Sequence, residues 1–259
     1  MPAELRSTHH GQTLVLTLSN PDLRNALDPA LYAAGTEALN GAERNPEVRS
    51  VVITGADGMF SAGGNLQQLQ ARRTLGAPAP EESTEALYHW IETIRAHPRP
   101  VIAAVEGTAA GAGFALALAC DLVVAARNAR FAMPYSHAGL SPDGGASWLL
   151  AQALPRALAT ELLLCGDPVS AERLHTLGLI NRLAEPGGAL AAALELAQTL
   201  NERAPNALTS TKELLDEAAQ HTLSAHLDRE HQHFVRNLLH ANGGEGIAAF
   251  LEKRPPRYR

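Results

Sequence analysis

Gly107-Thr108-Ala109-Ala110-Gly111-Ala112-Gly113-Phe114-Ala115-Leu116-Ala117 is the stretch on which the reading of this 259-residue chain turns. It follows a strand-like run, Val101-Ile102-Ala103-Ala104-Val105, and leads into an apolar, alanine-rich helix pattern that ends near Asp121. Strand, glycine-rich turn and helix in succession aim free backbone N–H groups and the positive end of a helix dipole at whatever occupies the turn. Thr108 is the only side chain there with polar chemistry, so an active-site wall would work through its backbone. Two readings stand: half of an oxyanion hole, or glycines that let a helix pack closely on a sheet. A dinucleotide fingerprint fails, because Leu116 stands where the third small residue belongs and Asp121 is too near to bind a ribose.

Working outward, a second glycine turn has the same setting. The short apolar strand Val51-Val52-Ile53-Thr54 precedes Phe60-Ser61-Ala62-Gly63-Gly64-Asn65-Leu66 and a short helical stretch. Two N–H groups converging on one oxygen stabilise a developing oxyanion, and loss of one donor typically costs ~3 kcal/mol. Residues 13–18 alternate as a strand, and Asp28-Pro29 opens a helix with an N-cap and a first-turn proline. The segment 71–80, with Gly76, Pro78 and Pro80, reads as a mobile lid or binding loop before a helix over 81–96. Strands are expected at 122–126, 130–132 and 179–183, with helices from 146, over 156–165 and over 171–177. Beyond Pro186-Gly187 the strands cease, leaving helices over 189–203, 206–220, 223–241 and 245–253. The class is therefore α/β, with a core over 1–186 and a helical region over 187–259.

Composition narrows the function classes. With 46% hydrophobic residues the chain builds a core without staples, and Cys120 and Cys165 read as reduced, buried thiols of a cytoplasmic protein. A net charge of −6 argues against nucleic acid, and no run is long enough for a membrane span. The histidines form no zinc spacing, and His226, Glu230, His233 and His240 read as a solvated or interfacial helix stripe, so no metal is expected. No GxSxG elbow supports a serine hydrolase.

Asp143, in Ser141-Pro142-Asp143-Gly144-Gly145, is the candidate acid/base. It stands at a helix start, where an aspartate is equally a natural N-cap. The two roles predict opposite chemistry: a capping carboxylate has a lowered pKa, one in a dry cleft a raised one. Tyr135, Ser136 and His137 precede it in an irregular stretch and could line the same site. Glu106 is expected to face solvent or a neighbouring subunit.

These residues together resemble the crotonase (enoyl-CoA hydratase/isomerase) superfamily over essentially the whole chain. The matching landmarks are Arg24-Asn25-Ala26-Leu27, Val51-Val52-Ile53-Thr54-Gly55, the Phe60 to Leu66 turn, the run from Arg99 to Gly107, Ala110-Gly111-Ala112-Gly113, Cys120-Asp121, Gly139-Leu140-Ser141-Pro142 and the run from Glu245 to Arg254. The resemblance implies a spiral of ββα units followed by a C-terminal helical trimerisation region. It also implies homotrimers, commonly paired into hexamers, and an acyl-CoA thioester as substrate with no separate cofactor. Carried over by position, the oxyanion hole is the backbone N–H groups of Gly64 and Ala112. CoA runs past Arg24 and Ala26, with its adenine near Ala62, Gly63 and Leu66, and with Asn65, Thr108 and Ala110 along the same walls. Phe250 and Lys253 are where family members often reach the CoA.

The departures concern the chemistry. Where hydratases of the family carry two glutamates, this chain has Ala115 and Tyr135. A carboxylate instead stands at Asp143, where the superfamily's isomerases place theirs, in a context most like phenylacetate-type isomerases. One carboxylate can move a proton from one carbon to another, and this implies an enoyl-CoA isomerase with Tyr135 lining the substrate site. The alternatives are a hydratase working with Asp143 alone, a 4-chlorobenzoyl-CoA dehalogenase-like enzyme and a CoA-binding protein with little activity. For the dehalogenase, Tyr135 replaces a tryptophan and Tyr88 a histidine. Asn65 for a common aspartate and Gln67 for a common lysine weaken contacts to CoA phosphates.

Overall fold

The computed structural model describes residues 3–259. A hairpin turned at Gly11 joins β1 (Glu4–His10) to β2 (Thr13–Ser19). Strand β1 is polar and exposed at the sheet edge, so it lacks the apolar alternation that marks β2. Helix α1 (Pro29–Arg44) starts as expected, with the Leu31 N–H donating to Asp28 Oδ1 at 3.0 Å. After β3 (Ser50–Gly55) come α2 (Leu66–Arg73) and α3 (Pro78–Ala96). The expected mobile loop over 71–80 therefore shrinks to the short link 74–77. Pro78 and Pro80 fall in the first turn of α3, where a missing N–H removes no helical bond.

The chain continues through β4 (Val101–Val105), β5 (Thr108–Ala110), α4 (Ala112–Ala119), β6 (Leu122–Ala126) and β7 (Arg130–Ala132). Then follow α5 (Ala146–Ala153), α6 (Arg156–Cys165), β8 (Val169–Ser170), α7 (Ala171–Thr176) and β9 (Arg182–Ala184). The strand expected at 179–183 begins later, because the Leu179 N–H donates to the Leu174 carbonyl at 2.9 Å and closes α7. Helices α8 (Ala189–Asn201), α9 (Pro205–Ala218), α10 (Leu223–Leu239) and α11 (Ala241–Leu251) complete the fold. Helix α11 starts earlier than expected: the His240 side chain caps it, and Gly243 sits where a Cβ would lie 2.2 Å from the Asn237 carbonyl oxygen.

The large sheet runs β1-β2-β3-β4-β6-β9, antiparallel at β1/β2 and parallel elsewhere. Helices cover both faces, which explains why its strands are continuous apolar runs. One face packs residues such as Leu16, Ile53, Ala103 and Ala125 against α1, α3 and α4. The other packs Val15, Val52, Ile102, Ala104 and Val124 against Ala193, Leu196 and Ala197 of α8. A second ladder holds β5, β7 and β8, with two isolated parallel bridges, Leu27 to Gly64 and Ser61 to Ala109. The repeat is a strand in the large sheet, a short partner in the second ladder and a helix. This is the expected ββα spiral.

Glu106 departs from its expected role. Its carboxylate accepts the Gly187 and Ala189 N–H groups at 3.1 and 2.8 Å and so caps α8 within its own chain. Cys120 is buried as expected, but Cys165, the last residue of α6, is exposed. The histidines of α10 do not share one open face: His233 is buried and lies 3.6 Å from Glu213. Among the described residues no helix is long and apolar enough to cross a membrane.

Helix α9 is tied to the spiral by Lys212, whose ammonium pairs with Asp121 at 2.6 Å and donates to the Arg99 carbonyl at 3.1 Å. Asp121 also accepts the Val101 N–H at 2.7 Å. Burial raises the Asp121 pKa, and Lys212 acts against that rise. Lys212→Ala leaves a largely buried carboxylate without its cation. We expect a loss of about 2 kcal/mol in stability, measured by urea unfolding.

Candidate active site

The two glycine turns touch. The Leu27 N–H donates to the Gly63 carbonyl at 2.7 Å, and the Leu27 carbonyl accepts the Asn65 N–H at 3.1 Å. A parallel bridge of this kind bonds the groups on either side of Gly64 and turns the Gly64 N–H away from Leu27. Ser61 bridges the second ladder in the same way, accepting the Ala110 N–H at 2.9 Å while its own N–H donates to Thr108 at 3.0 Å. The Ser61 hydroxyl accepts the Gly63 N–H at 3.1 Å and donates to the Asn25 carbonyl at 2.8 Å.

Gly63 has φ +90°, and a Cβ there would lie 2.5 Å from the Ala110 carbonyl oxygen and 3.4 Å from the Ala112 nitrogen. Only glycine permits that approach. Ala112 is the first residue of α4, where an N–H has no intrahelical acceptor. Neither the Gly64 nor the Ala112 N–H finds an acceptor among the described residues. Two abutting turns thus offer two free donors, the chemistry of an oxyanion hole.

Asp143 does not cap α5. That helix begins at Ala146 after Gly145, with no side-chain cap, and takes only the Asp143 backbone carbonyl, at 3.0 Å from the Ala146 nitrogen. The Asp143 carboxylate instead accepts the Tyr135 hydroxyl at 2.5 Å through Oδ1. Burial raises the Asp143 pKa, and the hydrogen bond from Tyr135 offsets part of that rise. Burial and the Asp143 charge in turn push up the phenols of Tyr135, Tyr32 and Tyr88. The Tyr135 ring packs on Gly111, where a Cβ would lie 3.6 Å from its hydroxyl oxygen. Ala115 is wholly buried, its methyl close against Gly144.

Gly64 and Asp143 line one narrow cleft of about 30 Å³, walled by Leu27, Tyr32, Leu69 and Leu87. Asp28, Gln68, Arg72 and Ser83 complete its polar rim. Arg24 and Ala62 are exposed and joined by an Ala62 N–H to Arg24 carbonyl bond of 3.0 Å, while Ala26 is buried. Leu66 is exposed. Asn65 uses its side-chain oxygen to cap α2, accepting the Gln67 and Gln68 N–H groups at 3.1 Å each. Thr108 and Ala110 act through the backbone of β5, against Ser61. Phe250 and Lys253 are exposed at the end of α11 and do not line this cleft.

The two tryptophans lie outside this cleft. Trp90 is core, packed against Gly35 and Tyr32, and Trp148 lines a separate cavity of about 300 Å³ with Arg95 and Leu215. Tyr32 and Arg72 are among the cleft residues that the sequence did not reveal. Tyr32 follows Leu31 on the buried side of α1 and reads as plain core; Arg72 fell in the segment read as a loop.

A family model described as enoyl-CoA hydratase/isomerase matches residues 9–259. The 1,2-epoxyphenylacetyl-CoA isomerase of Escherichia coli (strain K12) is 36% identical, over 95% of this chain and 94% of its own length. A 2,3-dehydroadipyl-CoA hydratase of the same strain is 34% identical over 99% of both chains. The crystal structure of an enoyl-CoA hydratase from Polaromonas sp. JS666 superposes with a TM-score of 0.98 at 64% identity, covering 98% of this chain and 99% of that one.

Tyr135→Phe removes the one side-chain hydrogen bond to Asp143. Since that bond lowers the carboxyl pKa, the variant should titrate Asp143 at higher pH than the wild type. Carboxyl-carbon NMR titration reads the shift directly, and an unchanged midpoint would mean that the phenol does not act on the carboxylate.

Proposed function

The chain belongs to the enoyl-CoA hydratase/isomerase family, and on that premise we propose that it is an isomerase of acyl-CoA thioesters with Asp143 as its single acid/base. The observation that carries this reading is the half-buried Asp143 carboxylate, free of capping duty, in one cleft with Gly64. The thioester oxygen would sit on the Gly64 and Ala112 N–H groups. Asp143 would take a proton from the carbon next to the thioester, the C–H electron pair passing into an enolate whose charge rests on that oxygen. Returning the proton two carbons further along the conjugated system shifts the double bond. A raised pKa suits a carboxylate that must both accept and release a proton.

Ala115 supports the same reading. Its buried methyl stands where a hydratase of the family carries a glutamate, so the two-carboxylate route to hydration lacks a partner here. Hydration with Asp143 alone is the second reading, favoured by the hydratase names of the 34% and 64% identical relatives. The narrowness of the cleft, about 30 Å³ or one to two waters, implies that α2 and the start of α3 give way as the acyl group enters.

CoA would lie along exposed Arg24, Ala62 and Leu66. The apolar side chains left exposed on α10 and α11, among them Leu223, Leu227, Phe234, Leu239 and Phe250, support a homotrimer formed through the C-terminal helices. In that assembly Phe250 and Lys253 would reach a neighbour's CoA. Free cysteines suit a cytoplasmic setting.

Asp143→Asn should lower kcat for 3-enoyl-CoA isomerisation by ~10²–10⁴-fold and leave the Kd for the thioester within a few-fold. It should not lower Tm. A carboxyl whose folded pKa is raised stabilises the fold below its unfolded pKa and loses that contribution as pH rises through the folded value, so a neutral side chain removes a burden at neutral pH. A lower Tm with an unchanged rate would return Asp143 to a structural role.

A further inference from the structure

The cleft that holds Gly64 and Asp143 also carries polar groups that isomerisation does not use. Tyr32 of α1 is 6% exposed, yet its hydroxyl makes no hydrogen bond among the described residues. It stands within electrostatic reach of Asp143, Asp28 and Arg72. Arg72, half-buried in the last turn of α2, lines the same cleft and forms no ion pair with any described carboxylate. Asp28, which shares the cleft, is already engaged: one oxygen accepts the Leu31 N–H at 3.0 Å and the other the Gln68 amide at 3.5 Å. Ser83 adds a hydroxyl at the same rim, also without an internal partner.

The unspent capacity here is donor capacity: a guanidinium fork and two hydroxyls. Buried Leu27 and Leu87 and the exposed Leu69 line the same cleft. Guanidinium groups match carboxylates in a planar, two-bond geometry, and an arginine partly withdrawn from water gains most from an anionic partner. We infer that Arg72 and Tyr32 form a subsite for a carboxylate at the far end of the substrate's acyl chain, so that the preferred substrates are thioesters of short dicarboxylic acids. The inference rests on the thioester reading above, in which Gly64 and Asp143 of the same cleft hold the reacting part of the substrate.

Two six-carbon 3-enoyl-CoA thioesters, one ending in a carboxylate and one in a methyl group, test it. For the wild type, kcat/KM should favour the carboxylate-ended thioester by at least about tenfold, as a charge-assisted hydrogen bond allows. In Arg72→Gln that ratio should fall to about one, and Tyr32→Phe should lower it partway. A wild-type ratio near one, or a ratio that survives in Arg72→Gln, overturns the subsite. If neither thioester is isomerised, the isomerase reading fails instead. The Kd ratio of the two thioesters, measured by calorimetry for wild type and Arg72→Gln, then decides the subsite by the same criterion.

Discussion

The contact between Gly63 and the backbone around Ala110 and Ala112 is the constraint on which the site depends. A Cβ at Gly63 would lie 2.5 Å from a carbonyl oxygen, so the two turns can meet only through a glycine with a positive φ. Their meeting is enforced from both sides by backbone bridges, Leu27 to Gly64 and Ser61 to Ala109, which extend the second ladder of the spiral. Those bridges bond the groups flanking Gly64 and leave its own N–H free, while the start of α4 leaves the Ala112 N–H free. The donors are a by-product of how parallel bridges and helix starts are built.

A carboxylate beside such donors is useful only if it is not committed elsewhere. The left-handed glycines Gly144 and Gly145 separate Asp143 from the start of α5, so its side chain is released from the cap that its sequence position suggests. Tyr135 then holds one carboxylate oxygen, and Asp143 lines the cleft. Burial and the phenol pull the Asp143 pKa in opposite directions, and burial dominates. The same crowding that packs Gly144 on the Ala115 methyl removes the place of a second carboxylate. Packing and chemistry are here one arrangement.

Much of this was legible in the residues. The buried parallel strands were readable as apolar runs, because each is covered on both faces, and the two glycine turns by their place between strand and helix. What stayed hidden has physical reasons. Strand β1 is polar on an exposed edge, and β5 and β8 are too short for a pattern. The prolines at 78 and 80 read as breakers, although at a helix start they are tolerated. Glu106 reads as a surface acid because its targets, the N–H groups of Gly187 and Ala189, lie some eighty residues further along the chain. Tyr32 and Arg72 meet at the cleft only once α1 and α2 are each packed against α3, and no local pattern encodes that meeting.

The central claim is that one carboxylate carries a proton between two carbons of an enolate. Its most direct test is to follow deuterium from the carbon next to the thioester in a labelled 3-enoyl-CoA. The expected result is a 2-enoyl-CoA product that keeps a measurable part of the label two carbons away, because the proton stays on Asp143 in a narrow cleft. Unchanged 3-enoyl-CoA, or a 2-enoyl-CoA with no label transferred, would contradict it.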